Sequence, residues 1–234
     1  MTDTDRPNQA AAATRRDFLT TGAAAIATAA MAQPAIARTY RQDSRELLKI
    51  GLIGCGGRGS GAAPDALAAD PNVKLVALAD TFGDHLESSP AALQQSEVGE
   101  RVSVDLDHGF VGYKGVIDTC DVVLFATSPH FRPQHVAYAV EKGRHMFVEK
   151  PVAVDAPGLR SMMKSCEVAR QKRLSLVSGL CYRYDFAKQE TFKRLHDGAI
   201  GDITALQCTY NTGGLWHRGR QDDWSEMEYQ MRNW

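Results

Sequence analysis

Leu48-Lys49-Ile50-Gly51-Leu52-Ile53-Gly54-Cys55-Gly56-Gly57-Arg58-Gly59-Ser60-Gly61 decides the fold. A short apolar run stops at Gly54, and Gly54, Gly56 and Gly59 then give G-x-G-x-x-G ahead of an alanine-rich segment. That order reads as a strand, a tight turn and a helix start. The first glycine permits the turn, the second lets a pyrophosphate approach the backbone, and the third lets the helix pack closely on the strand. The free N–H groups of the helix N-terminus then face the phosphates, so Gly57 and Arg58 join the candidate set. Three glycines alone also describe an ordinary turn. The context argues for more: a second apolar strand, Val73 to Ala79, ends at Asp80, about the spacing at which an acidic residue meets a ribose hydroxyl. Together these predict a dinucleotide site. A carboxylate at Asp80 accepts ribose hydroxyls and repels a 2′-phosphate, which favours NAD. The charge of Arg58 leaves NADP open, and Asp80 also suits a plain strand-end turn.

Outward from that unit, strand and helix alternate. A helix over Ser60 to Ala69 stops at Asp70-Pro71-Asn72. Pro90 opens a helix through Gln95, Arg101 to Asp105 reads as a third strand, and 107–118 as loop with a short helical turn. Asp121 to Thr127 is an uninterrupted apolar strand, as a parallel sheet covered on both faces requires, and ends in Ser128-Pro129-His130. A helix from Pro133 to Lys142 stops at Gly143, strand His145 to Val148 ends in Glu149-Lys150-Pro151, and a helix over 155–171 leads to strand Leu174 to Ser178. Such alternation predicts a doubly wound α/β fold with a parallel sheet. Beyond Tyr182 the pattern changes: a helix from Phe186 to His196, a turn over 197–201, and an alternating run from Asp202 to Tyr210 that reads as the first strand of a second, α+β domain. Only about 83 residues follow Pro151, too few for a second domain of normal size, so the expectation is an incomplete chain.

The 234 residues, 44% hydrophobic and 24% charged with a net charge of -1, describe a globular protein without a basic field for nucleic acid or anionic membrane. A small-molecule partner is the better expectation. Arg15-Arg16 precede an alanine-rich apolar run, Gly22 to Met31, and small residues at Ala35-Ile36-Ala37. This resembles a twin-arginine export signal, which predicts passage through the twin-arginine export machinery, removal of residues 1–37 and a periplasmic location. The apolar run is too short for a stable membrane span. Five widely spaced cysteines with no C-x-x-C, and seven histidines with no H-x-x-x-H, indicate neither a disulfide framework nor a metal site.

The glycine turn, the strand ending Ala126-Thr127, the helix ending at Gly143, Val148-Glu149-Lys150-Pro151 and the later Leu195-His196-Asp197-Gly198-Ala199-Ile200-Gly201-Asp202-Ile203 together resemble the Gfo/Idh/MocA oxidoreductases. The resemblance implies a Rossmann-type domain holding a nicotinamide dinucleotide across Gly54 to Gly59, Asp80 and the Thr127–His130 loop, including Ser128. It implies that Lys150 sits beside nicotinamide and substrate, and that Glu149 positions it. A lysine beside a cationic ring has its charged form disfavoured and can exchange a proton with a substrate hydroxyl; a solvated strand-end lysine is the plainer alternative. Arg132 stands where the family often has a histidine. The family's acid/base aspartate and histidine match nothing up to Trp234, and His217 lies in an irregular stretch. The domains expected are a signal peptide at 1–37, a linker at 38–47, the dinucleotide-binding core at 48–151, and at 152–234 the last Rossmann unit with an incomplete substrate and oligomerisation domain. Tyr182 and Arg183 are candidate contacts for a hydroxylated or anionic substrate, or a surface pair. The function implied is hydride transfer at a sugar or cyclitol hydroxyl carbon with a tightly retained NAD, and a homo-oligomer when full length. An NAD-dependent glycoside hydrolase of the same type and a non-catalytic nucleotide-binding module are the alternatives.

Overall fold

The computed structural model describes residues 47–234; the twin-arginine segment, the apolar run, the cleavage site and the linker up to Glu46 lie outside the described residues. The elements run β1 (Leu48–Ile53), α1 (Gly57–Ala69), β2 (Val73–Asp80), α2 (Gly83–Gln94), β3 (Gly109–Val111), α3 (Lys114–Thr119), β4 (Val122–Phe125), α4 (Arg132–Glu141), β5 (His145–Val148), α5 (Ala156–Gln171), β6 (Leu176–Ser178), α6 (Phe186–His196) and α7 (Glu226–Arg232). Six parallel strands form one sheet in the order β3-β2-β1-β4-β5-β6. The doubly wound α/β expectation is met. Strand order reverses between β1 and β4, and that reversal opens a crevice at the carboxyl ends of the strands.

Alternation within each strand sends successive side chains to opposite faces. Ile53, Phe125, Val123 and Val148 enter one core with Val116 and Ile117 of α3, Val136 of α4 and Met162 of α5. Leu52, Leu75, Leu78 and Leu124 enter a second core with Ala63 and Leu67 of α1 and Leu93 of α2. Both faces are dry, which is why the central strands read as continuous apolar runs. Gly51 has no room for a side chain: a Cβ there would lie 2.3 Å from Val116 Cγ1 and 2.6 Å from Cys120 Sγ. α4 carries Pro133 in its first turn and is followed by Gly143 at φ +71°; Asp155 caps α5 by accepting from the Gly158 amide at 2.7 Å.

Three expectations are corrected. The third strand is Gly109–Val111; Gly99–Arg101 forms a short 3-10 turn, and Val102 makes a single bridge to Leu75. Arg101 explains this, because its guanidinium donates to the Leu67 carbonyl and, at 2.8 Å, to that of Asp70, anchoring the segment to the end of α1. Pro90 lies inside α2, which starts at Gly83 with Asp84 in its first turn. Residues 203–210 form no strand: they have no neighbour to pair with among the described residues, and Ile203, Leu206 and Tyr210 stay exposed. α7 was not expected, although Ser225-Glu226-Met227-Glu228 carries the capping pattern S-x-x-E, and the Ser225 hydroxyl accepts from the Glu228 amide at 3.2 Å.

Candidate functional site

The glycine turn is held from several sides. Gly54 adopts φ +98°, and a Cβ there would fall 2.6 Å from the Ala126 carbonyl carbon and 2.7 Å from the Thr127 nitrogen, so β1 and β4 meet there backbone to backbone. The Cys55 amide donates to Asp80 Oδ2 at 2.6 Å, and the Cys55 carbonyl accepts from Ser60 Oγ at 3.1 Å and from Ser89 Oγ at 3.0 Å. Gly59 presses α1 onto the turn, since its Cβ would lie 1.8 Å from the Gly54 oxygen. Gly56 and Gly57 face open space: a Cβ meets only His85 at 4.0 Å from the first and nothing within 4 Å from the second. The amides of Gly56, Gly57, Arg58 and Gly59 donate to no acceptor among the described residues. No side chain caps this helix and no acidic residue sits in its first turn. A helix N-terminus with free amides and an open face of this kind suits an anion.

Asp80 ends β2 with only 9% of its surface exposed. Besides Cys55 it accepts from the Phe82 amide at 2.9 Å, and His85 Nδ1 lies 3.2 Å from Oδ2. It therefore does form the strand-end turn, and it also ties that turn to the glycine loop. A carboxylate has about four acceptor sites, so capacity remains for a hydroxyl donor. Thr127 follows β4, its Oγ1 3.4 Å from His135 Nδ1, and the Ser128 hydroxyl is buried without a partner among the described residues. Such an orphan asks for an acceptor or donor that the polypeptide does not supply. His130 is exposed, its ring set edge-on to Phe131.

At the end of β5, Glu149 is 4% exposed. Its carboxylate pairs with Arg58 Nε at 2.6 Å and accepts from the Lys150 amide at 3.1 Å, so the Arg58 charge is turned to Glu149. Gly179, after β6, has only a hydrogen's room beside that carboxylate. The Lys150 side chain is exposed and bonds nothing among the described residues; a cis peptide joins it to Pro151. Arg132, 4% exposed, donates to the Glu149 carbonyl at 2.8 Å and to that of Pro151. The fold thus brings Gly54, Gly56, Gly57, Arg58, Gly59, Asp80, Thr127, Ser128, Glu149 and Lys150 to one end of the sheet.

A family model described as an oxidoreductase family with an NAD-binding Rossmann fold, Gfo/Idh/MocA, matches residues 48–177. The chain belongs to that family. Among curated proteins it is 24% identical over 189 residues to glycosyl hydrolase family 109 protein 1 of Bacteroides thetaiotaomicron, covering 81% of this chain and 38% of that one. It is 27% identical over 163 residues to inositol 2-dehydrogenase of Pseudomonas savastanoi pv. phaseolicola, covering 70% and 46%. Among solved structures, myo-inositol 2-dehydrogenase of Lactobacillus plantarum superposes with a TM-score of 0.55 at 28% identity, covering 68% and 43%. The chain therefore spans less than half the length of each of these relatives.

Within this Gfo/Idh/MocA frame, Tyr182 and Arg183 lie on an exposed 3-10 turn, Cys181–Tyr184, after β6. Lys188 Nζ stands 4.5 Å over the Tyr182 ring, and a hydrogen bond with Tyr210 pushes the Tyr182 phenol up. His217 bonds Tyr229 at 2.8 Å in the C-terminal segment. That segment also reaches the β2 end: Arg232 forks onto Asp84 at 2.9 and 3.0 Å and lies 3.9 Å over the Phe82 ring. Ser60, Ser89 and His85 carry no signal in the sequence pattern, and Arg132 stands out there only as a departure from the family. Among the described residues no group of three or more His, Cys, Asp or Glu is placed to hold a metal, and no helix is long and apolar enough to cross a membrane.

Proposed function

We propose that the protein is an exported NAD(P)-dependent oxidoreductase acting on a hydroxyl-bearing carbon of a sugar or cyclitol. The observation that carries this is the set of unpartnered amides over Gly56–Gly59 on the same sheet end as the free Lys150 amine. The inositol 2-dehydrogenase relatives support the substrate class, and the N-terminal signal motif supports export.

The residues present fit a dinucleotide. The helix amides and the open face above Gly56 and Gly57 bind the diphosphate. Asp80 takes ribose hydroxyls and disfavours a 2′-phosphate, so NAD is preferred to NADP. Thr127 offers a hydroxyl along the β4 edge of the crevice, and the buried Ser128 hydroxyl reaches a nucleotide when the loop over it shifts. When bound, the nicotinamide supplies the hydride-accepting or hydride-donating carbon. Lys150 moves a proton at the substrate hydroxyl, and Glu149, fixed by Arg58, steadies the backbone of Lys150. Tyr182 and Arg183 contact the substrate from the turn after β6. Outside the cytoplasm a free nicotinamide pool is scarce, so the cofactor is retained between turnovers, and the whole protein assembles as a homo-oligomer.

A second reading is an NAD-dependent glycoside hydrolase; the match to glycosyl hydrolase family 109 proteins over 81% of the chain favours it. The test is calorimetric titration with NAD+ and NADP+, followed by a panel of cyclitols and aryl glycosides. NAD+ binding with reduced nicotinamide accumulating on a cyclitol supports the dehydrogenase. Aglycone release without net reduction moves the assignment to the hydrolase, and a protein that carries no nucleotide as isolated and binds none when it is added refutes both. Lys150→Ala with unaltered turnover refutes the role of that amine.

A further inference from the structure

We infer that Arg132 is the positioning residue for Lys150: one buried guanidinium nitrogen holds the backbone carbonyls on both sides of that lysine, and so fixes where its amine is presented. The inference rests on the reading of Lys150 given above. Nη1 of Arg132 donates to the Glu149 carbonyl at 2.8 Å and also to the Pro151 carbonyl. The Lys150 side chain has four rotatable bonds, is exposed and touches no partner among the described residues. Its only restraint is therefore at its own backbone, and that backbone is bracketed by Arg132 and by the bond from its amide to Glu149.

Two features speak against a merely incidental arginine. Arg132 is the first residue of α4, where a cation opposes the helix dipole and a carboxylate would be favoured. It is also 4% exposed, and burial pulls it down to about 10, so the interior works against its charge. A buried cation is tolerated where it makes hydrogen bonds that no apolar residue replaces. The Glu149 charge favours the Arg132 cation, yet among the described residues the Glu149 carboxylate is met by Arg58 and the Lys150 amide, and the hydrogen bonds of Arg132 go to the two carbonyls instead.

The experiment follows Lys150 with an amine-acylating reagent, read by peptide mass spectrometry, with and without saturating NAD+, in the wild-type protein, Arg132→Met and Arg132→Lys. Wild-type Lys150 is protected by NAD+ about tenfold or more, because the amine is held against the bound nucleotide. Arg132→Met removes both hydrogen bonds and loses that protection, in line with the ~100-fold that a 1 Å misplacement costs a reacting group, while its Kd for NAD+ stays within about threefold. Arg132→Lys keeps one donor and shows intermediate protection; it carries the test alone if the methionine variant does not fold. Protection undiminished in the variants at saturating NAD+ overturns the inference, including the case in which stability falls but protection stays. A wild-type protein that neither carries nucleotide as isolated nor binds added NAD+ overturns the reading of the site itself, a result distinguishable by the mass of any nucleotide released on denaturation together with the titration.

Discussion

Replacing Gly59 by alanine places a methyl carbon 1.8 Å from the Gly54 oxygen and 3.3 Å from Leu52 Cδ1. Ordinary contact begins at 3.4 Å, so α1 has to withdraw from the turn by about 1.6 Å, and overpacking of that kind costs about 1–3 kcal/mol. At about 2–4 °C per kcal/mol for a chain of this size, the melting midpoint falls by about 2–12 °C. Gly57→Ala should move stability the other way. Its Cβ meets nothing within 4 Å and its φ is ordinary for a helix, so alanine gains about 0.4–1 kcal/mol by restricting the unfolded chain. That methyl nevertheless stands in the space over the free amides, and NAD+ affinity falls about tenfold or more, the equivalent of ~1.4 kcal/mol. Thermal unfolding by circular dichroism and calorimetric titration of both variants give the four numbers needed. An unshifted midpoint in Gly59→Ala refutes the packing argument. Wild-type NAD+ affinity in a folded Gly57→Ala refutes the approach of the nucleotide over this turn.

Gly51→Ala drives a methyl into Val116 and Cys120 and lowers the unfolding free energy measured in urea by about 1–3 kcal/mol, with Val116→Ala restoring part of it. His135 is held down at about 4, from 6.5, by burial and then by the Arg132 charge. The unfolded chain takes up that proton near pH 6.5 and the folded one only near 4, so stability is full above 6.5 and drains away towards 4, by up to ~1.4 kcal/mol per pH unit. His135→Phe keeps a ring against Tyr113, Phe125 and Phe131 and flattens that slope in urea titrations run on either side of pH 6. The hydrogen bond from Arg232 holds the Asp84 carboxyl below its ordinary value, so this contribution is present above about pH 4 and lost as the pH falls through the lowered folded value. Arg232→Met costs about 1 kcal/mol at neutral pH, from an exposed ion pair and a ring contact, and the difference from wild type narrows on acidification.

The central strands were legible because burial on both faces forces Ile50–Ile53 and Val122–Phe125 to be apolar throughout, and the glycine spacing marks a turn that tolerates no side chain at Gly54 or Gly59. The third strand was not legible, since its three residues, Gly109–Val111, are partly exposed and only the long-range anchor of Arg101 displaces the better-looking candidate. The run from Asp202 to Tyr210 shows the converse: alternation expresses a readiness to pair, and pairing needs a neighbour. At the site, residues that end strands could be named from position, because parallel strands deliver their termini to one edge. The residues that brace them act through one or two hydrogen bonds each, Ser60 across five positions, Arg132 across 17 and 19 and Ser89 across 34, and no local pattern announces such a bond.

Cys55 and Cys120 are buried, while Cys166, Cys181 and Cys208 are exposed. Burial, and after it the charge of Asp80, push the Cys55 thiol up to about 12, so the thiolate that alkylating and oxidising reagents attack is nearly absent at neutral pH. The folded chain therefore offers three thiols to a reagent and withholds two, one of them at the centre of its glycine turn. Reagent reaches that sulfur only when the turn opens, which makes Cys55 a natural clock for local opening. Each ligand that closes the turn slows the clock by its own free energy of binding, and the chain needs no introduced label to report it.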